Sequence, residues 1–364
     1  MRILSGLLVL FAVGCAQSAP PEAPPPPAAS AEPAASASPP AQPATKKKPP
    51  SAPAVDAAAV GEIVERALGQ TPLPAAAVVL ESSGKLVTAS GQRGADPAGQ
   101  ALRPGSTVKP LLAYVAARAG ALSPDQHFKC NKRYAPMPGF HCYDKHGDLD
   151  LVGAIRTSCN SYFFDVAQKT GLQKIRAGFE GFGFGEPTGL VSEESSGKIP
   201  DEAALRHLAP NPNAKELWPG FTLLIGLGHG PIQVTLAQLT GAYADLAARL
   251  TRQSEQSTQS QELQAVDGQI LQGMLACVGP EGTGAAAQLE GLEIAGKTGT
   301  AEPGSYAEPG TERGKENGWF VGFAPAKDPQ IVVGVLVLSG GNGGTSAAPI
   351  AKEIFSGWQQ TRSK

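Results

Sequence analysis

Three short polar segments of this 364-residue chain carry the groups that acyl transfer through a serine ester requires. They are Ser106-Thr107-Val108-Lys109, Ser158-Cys159-Asn160 and Lys297-Thr298-Gly299-Thr300, in that order. A serine hydroxyl is a poor nucleophile near neutral pH and needs a base. A lysine serves as that base only where burial or a neighbouring cation destabilises its ammonium. Residues three apart on a helix share a face, so a helix starting at Ser106 would bring Ser106 and Lys109 together, with the serine at the positive end of the helix dipole. Taken alone, S-x-x-K reads more simply as an N-cap serine followed by an exposed lysine one turn on. The ordered triple is what points to a site.

Ser158 and Asn160, two apart, can point the same way from a short turn while Cys159 points away. The hydroxyl could relay a proton between Lys109 and a leaving group, and the amide could hold both the lysine and a substrate amide. A polar helix-connecting turn is the plain alternative. Ala295 to Thr300 reads as a strand whose glycines let another backbone approach closely. Lys297 would add positive charge, and Thr298 and Thr300, on either side of Gly299, would offer hydroxyls to a substrate carboxylate, so that all three residues line the substrate.

Positioning these groups requires a mixed α and β fold. Ala75 to Glu81, Ser82-Ser83-Gly84 and Lys85 to Ser90 read as a hairpin. Gly318 to Ala324 and Ile331 to Leu338 are again strand-like, and Ala347 to Trp358 has helical spacing. Helical patterns fall at Pro110 to Arg118, with Pro110 tolerated in the first turn, and at Leu151 to Thr157, Ser161 to Thr170 and Val234 to Arg249. Strands from the two chain ends are thus predicted to join one antiparallel sheet around a largely helical middle. The Gln- and Ser-rich stretch Thr251 to Gln264 reads as a loop.

The N-terminus addresses the protein to an exported compartment. Arg2 precedes an apolar stretch, Ile3 to Val13, that is too short to span a bilayer, which takes about 20 apolar residues. Residues 1–14 therefore read as a signal peptide. Cys15 follows Ala12-Val13-Gly14 in a site similar to a bacterial lipobox, although Leu is usual where Ala12 stands, and Cys15 would carry the lipid. Ordinary secretory cleavage near Ala16 is the alternative. Residues 16–58 are almost only Ala, Pro and Ser apart from Lys46 to Lys48, and cannot bury a core. As polyproline II, at about 3.1 Å per residue, such a tether would reach up to about 100 Å. Residues 59–364 are enough for one large domain.

A net charge of −2, with 17% charged and 6% aromatic residues, gives no support to nucleic-acid binding. His127, Cys130, His141, Cys142 and His146 fall close together, a spacing that could hold zinc. In an oxidising compartment a Cys130–Cys142 disulfide, worth about 3 kcal/mol in chain-entropy terms, is preferred over a structural zinc, with free thiols as a third reading, so no metal or cofactor is expected. Cys159 and Cys277 read as small buried residues.

Arg103 to Pro110, Ser158 to Phe164 and Ala295 to Glu302 resemble the transpeptidase domain of penicillin-binding proteins, in which S-x-x-K and K-T-G motifs recur. The similarity extends to His146 to Asp150, Ile225 to Gly230, Gly318 to Pro325 and Gly343 to Pro349, and is nearest to the monofunctional class B members. The resemblance implies an α/β fold of the penicillin-binding protein and serine β-lactamase type: an antiparallel sheet flanked by helices plus an all-helical subdomain. It implies a D,D-transpeptidase that cross-links peptidoglycan stem peptides. Ser106 would attack the D-Ala-D-Ala carbonyl, Lys109 would take its proton, and Ser158 would help return it to the leaving D-alanine. Backbone N–H groups of Ser106 and Thr300 would form the oxyanion hole, and Lys297, Thr298 and Thr300 would hold the terminal carboxylate. β-Lactams would be inhibitors. The expected location is the periplasmic face of a bacterial membrane, anchored by lipid on Cys15. A D,D-carboxypeptidase, a serine β-lactamase and a non-enzymatic β-lactam sensor or wall-binding scaffold stay open as alternatives. His229 stands where the family commonly has glutamine, and is read as a packing variant.

Overall fold

A computed structural model describes residues 55–252, 259–302 and 316–362. The signal peptide, Cys15 and nearly all of the 16–58 tether lie outside the described residues.

Helix α1 (Ala57–Gly69) opens the described chain, with Asp56 capping it by accepting from the Ala59 N–H. Ala57 and Ala58, read as the end of the tether, already belong to this helix. Val60, Ile63, Val64, Ala67 and Leu68 recur at helical spacing and are all buried. Strands β1 (Ala75–Glu81) and β2 (Leu86–Gln92) form the expected hairpin. Three further strands, β5 (Ala295–Ala301), β6 (Asn317–Ala324) and β7 (Ile331–Val337), complete an antiparallel sheet in the order β2-β1-β7-β6-β5. The pairing of β1 with β7 joins the two chain ends in one sheet, as predicted.

The sheet is covered on both faces, and the period of two along each strand sorts residues between them. Ala75, Ala77 and Val79 of β1, with Val333, Val335 and Val337 of β7, pack with α1 and the last helix, α10 (Gly343–Thr361). Ala76, Val78 and Leu80, with Trp319, Val321 and Phe323 of β6, face the helical middle. Two-sided burial explains why β6 and β7 read as nearly continuous apolar runs. At Gly334 an added Cβ would lie 2.1 Å from Thr240 Oγ1, so the glycine lets helix α8 (Leu236–Thr251) settle directly on the sheet.

The helical region comprises α2 (Lys109–Arg118), α3 (Leu151–Arg156), α4 (Asn160–Thr170), α5 (Leu172–Glu180), α6 (Glu202–Leu208), α7 (Gly220–Gly226), α8 and α9 (Gln261–Val278). A short ribbon, β3 (Phe128–Cys130) with β4 (Gly147–Leu149), precedes α3. Helix α9 begins inside the stretch read as a loop, capped by Ser260 on the Leu263 N–H. Arg118 of α2 and Asp267 of α9 form a two-pronged pair at 2.7 Å and 2.7 Å, with the Arg118 guanidinium stacked over Tyr114. That pair ties α2, which carries Lys109, to the helix leading into β5. Helix α10 starts earlier than its apolar spacing suggests, because Asn342 caps it through the Gly344 N–H.

Candidate active site

The site lies where the turn before α2, the turn before α4 and the edge strand β5 meet. Ser106 sits in a 3₁₀ turn, Gly105–Val108, that runs straight into α2. Gly105 has φ +55°, and its N–H donates to Gly228 O at 2.9 Å. The turn is pressed onto β5: a Cβ on Gly299 would lie 2.7 Å from both Pro104 O and Thr107 Cγ2. Tyr243 of α8 donates to Thr107 O at 2.6 Å and holds the turn from behind. Ser106 itself is half-buried at the surface of this assembly.

Lys109 is fully buried, and its Nζ reaches across to the second motif. It donates to Ser158 O at 2.7 Å, Asn160 Oδ1 at 2.7 Å and Ser158 Oγ at 3.2 Å. Lys297, also fully buried, donates to Ser158 Oγ at 2.9 Å and to Thr298 O at 3.0 Å. Ser158 thus has both ammonium groups on its hydroxyl. It occupies the left-handed region at φ 54°, unusual for a residue with a side chain and a mark of a position fixed by its surroundings. Cys159 is the N-cap of α4 and Asn160 its first residue. Because Asn160 Oδ1 accepts from Lys109, its amide N–H groups point away from the lysine.

Burial, and then the charge of Lys297, bring the Lys109 pKa down to about 7. Burial lowers that of Lys297 as well. A lysine in this state is neutral for much of the time near pH 7. A neutral amine has two N–H donors and one lone pair, so Ser158 O and Asn160 Oδ1 can occupy the donors while the lone pair takes a proton. Among the described residues Ser106 Oγ and Lys109 Nζ make no direct hydrogen bond. The expected Ser–Lys contact is replaced by nearness along one turn, with the lysine held by the second motif. Neither lysine pairs with a carboxylate among the described residues, which leaves the site in want of an anion.

The edge strand supplies backbone donors. An added Cβ on Gly105 would lie 2.5 Å from Thr300 O, so that carbonyl faces the serine turn. On a strand, the N–H and C=O of one residue point to the same side. The N–H of Thr300 therefore lies on the free edge beside Ser106, and that of Thr298, two residues back, lies on the same edge. His229 is half-buried, and its pKa is depressed to about 4 by desolvation, then by Lys109 and Arg103, which keeps the ring neutral near pH 7. Two contributors escaped the sequence reading: Tyr243 behind the serine turn, and Thr283, whose hydroxyl lies 2.6 Å from Thr298 Oγ1. Neither sits in a motif or at a diagnostic spacing.

Cys130 and Cys142, expected as a disulfide, are both free thiols. They converge instead with Cys159 and His146, the four ligand atoms lying within 4.8 Å of one another. Cys130 Sγ and Cys142 Sγ stand 3.6 Å and 3.5 Å from His146 Nδ1, and Cys142 Sγ stands 3.9 Å from Cys159 Sγ. A tetrahedral zinc with bonds of about 2.3 Å to sulfur separates its ligands by about 3.8 Å. The Cys₃His set therefore fits zinc in both chemistry and spacing. The pKa of Cys142 is lowered to about 4, by the Cys159 thiol first and then by backbone N–H groups that include Asn160's, so one thiolate is favoured in the cluster. His127 and His141 stand apart: His127 pairs with Asp148 at 3.2 Å, and His141 bridges to Arg133.

Residues 75–356 match the family model described as the penicillin binding protein transpeptidase domain. The chain is 31% identical over 299 residues to the peptidoglycan D,D-transpeptidase MrdA of Acinetobacter baumannii, covering 72% of this chain and 43% of that protein. It is 31% identical over 281 residues to the peptidoglycan D,D-transpeptidase PbpA of Mycolicibacterium smegmatis, covering 70% and 54%. The chain thus spans about half the length of these curated relatives. Pseudomonas aeruginosa PBP2, solved in complex with WCK 5153, superposes with a TM-score of 0.68 at 26% identity, covering 83% of this chain and 74% of that one. The transpeptidase domain of Burkholderia pseudomallei penicillin-binding protein 3 shares the fold, with a TM-score of 0.69 at 20% identity, covering 84% and 93%.

Proposed function

Because the chain belongs to the family of penicillin-binding protein transpeptidase domains, we propose that it is a serine D,D-transpeptidase that cross-links peptidoglycan stem peptides through an acyl-enzyme on Ser106. The observation that carries this reading is the convergence of two buried lysines on Ser158 Oγ beside the serine turn. Neutral Lys109 takes the proton from Ser106 Oγ, which attacks the carbonyl between the two terminal D-alanines. Charge developing on that carbonyl oxygen is met by the N–H groups of Ser106 and Thr300, donors of a kind typically worth about 3 kcal/mol each. The proton passes from Lys109 through Ser158 to the departing D-alanine nitrogen. Lys297, Thr298 and Thr300 hold the terminal carboxylate, and Asn160 turns its amide toward the peptide. The amine of a second stem peptide then attacks the ester, forms the new amide and returns the proton to the serine. β-Lactams acylate the same serine.

Export by residues 1–14, lipidation of Cys15 and tethering by residues 16–58 would hold the domain 59–364 at the periplasmic face of a bacterial membrane, within reach of the wall. No helix among the described residues is long and apolar enough to cross a membrane. Cys130, Cys142, Cys159 and His146 form a structural zinc site in this reading. Cys159 lies between Ser158 and Asn160, and the Asn160 N–H donates to Cys142 Sγ at 3.2 Å, so a metal held there would fix the turn that grips both lysines.

The test is incubation of the protein with a pentapeptide-bearing muropeptide donor and an amine-bearing acceptor, analysed by mass. Cross-linked dimer with one D-alanine released per link supports the proposal. Trimmed monomer alone makes the protein a carboxypeptidase, and release of neither product contradicts both.

A further inference from the structure

The geometry points to Thr283 as a positioning residue that sets the direction of the hydrogen bond at Thr298, with the Cys277 thiol as the donor behind it. This rests on the reading of Thr298 as a donor to the substrate carboxylate. Thr283 lies in the turn between α9 and β5. Its Oγ1 is 2.6 Å from Thr298 Oγ1 on one side and 3.3 Å from Cys277 Sγ on the other. Cys277 is fully buried and Thr298 is 5% exposed, with Thr283 half-buried between them, so the two ends of the row are shielded from bulk water.

Each hydroxyl carries one proton, and a carboxylate only accepts. If Thr298 gives its proton to the carboxylate, the 2.6 Å contact must be donated by Thr283. Thr283 then faces Cys277 with a lone pair, and the thiol donates to it. The row reads Cys277 S–H to Thr283, Thr283 O–H to Thr298, and Thr298 O–H to the anion, each donor polarising the next. In the opposite direction Thr298 spends its proton on Thr283 and presents a lone pair to the carboxylate, which repels it. An anionic ligand therefore selects one direction, and Thr283 makes that direction available.

The backbone around Thr283 is clamped as a positioning role requires. The Gly284 N–H donates to Cys277 O at 2.8 Å. A Cβ on Gly282 would lie 2.1 Å from Cys277 O, and one on Gly344 would lie 2.1 Å from Thr283 O. The turn is thus wedged between the end of α9 and the start of α10 with no room for larger residues.

The test compares Thr283→Val and Thr283→Ser with the parent protein, using acylation rate constants for a penicillin and for its methyl ester, which lacks the anion. We expect T283V to slow the acid by about tenfold, the scale of a hydrogen bond to a charged group, while changing the ester by less than twofold. T283S restores the acid rate. Equal slowing of acid and ester, or no change in either, would overturn the assignment, because a packing role does not distinguish the ligands. Should T283V fail to fold, Cys277→Ala against Cys277→Ser asks the same question: only the alanine variant is expected to narrow the acid-to-ester ratio, and an unchanged ratio in both overturns the relay. A parent protein that neither ligand acylates defeats the transpeptidase reading instead.

Discussion

Lys109 gives the sharpest quantitative expectation, because its proposed role as base depends on being neutral. With a pKa of about 7, set by burial and then by Lys297, its neutral fraction is about 9% at pH 6, about 50% at pH 7 and about 91% at pH 8. Acylation by a fluorescent penicillin, followed at sub-saturating ligand, should therefore rise about tenfold from pH 6 to pH 8 and level off. At higher pH the rate should fall again as Lys297, whose pKa is also lowered by burial, loses the charge that holds the carboxylate. A lysine at its ordinary 10.5 behaves differently: its neutral fraction grows about a hundredfold between pH 6 and pH 8 and keeps climbing. Lys109→Arg, which cannot deprotonate at these pH values, should lower acylation by about 10³ or more throughout. A flat profile from pH 6 to pH 8, a tenfold rise per unit through pH 9, or an active K109R would refute the assignment of Lys109 as base. The same depressed pKa links to stability. Between about pH 7 and 10.5 the unfolded chain holds a proton that the native state lacks, so this group's contribution to stability rises with pH across that window. Below pH 7 both states are protonated and the contribution no longer changes.

Protein purified without chelator should carry about one zinc per chain by elemental mass spectrometry, and Cys142→Ser should lose it together with several degrees of Tm; a metal-free protein with a Cys130–Cys142 disulfide would restore the sequence-based expectation. Asp267→Ala leaves Arg118 without its buried partner and should cost about 3 kcal/mol, a drop of about 6 °C in a thermal melt; an unchanged Tm contradicts the structural role of the pair. Gly299→Ala places a Cβ 2.7 Å from Pro104 O and Thr107 Cγ2, so it should cut acylation by an order of magnitude or more while the far-ultraviolet circular dichroism is retained.

How far the fold could be read from sequence followed what each element buries. Strands β6 and β7 were legible because both their faces are covered, which makes Trp319 to Ala324 and Ile331 to Val337 nearly continuous apolar runs. Helix α1 was hidden because Ala57 to Ala59 continue the composition of the tether, and its signal lies in spacing from Val60 onward. The start of α9 was masked by Gln261, Glu262 and Gln264, which face solvent beyond a serine cap. In the site, the three motifs met as expected, since each carries its own local pattern. Thr283 and Tyr243 contribute through contacts 15 and 136 residues away along the chain, which no local spacing reveals. In the sequence Cys159 carries only the signal of a small buried residue; the folding of α4 against the β3–β4 ribbon is what brings it to Cys130, Cys142 and His146.

On the proposed mechanism Ser106 forms an ester with a ligand of the D-alanyl-D-alanine type. Intact mass spectrometry of the protein with a labelled penicillin, followed over time and mapped by peptide digestion, tests it directly. The expected result is a single stable adduct on Ser106 that is lost in Ser106→Ala and in K109R. An adduct on another residue, or none, would contradict it, and rapid loss of adduct with consumption of the antibiotic would make the protein a β-lactamase.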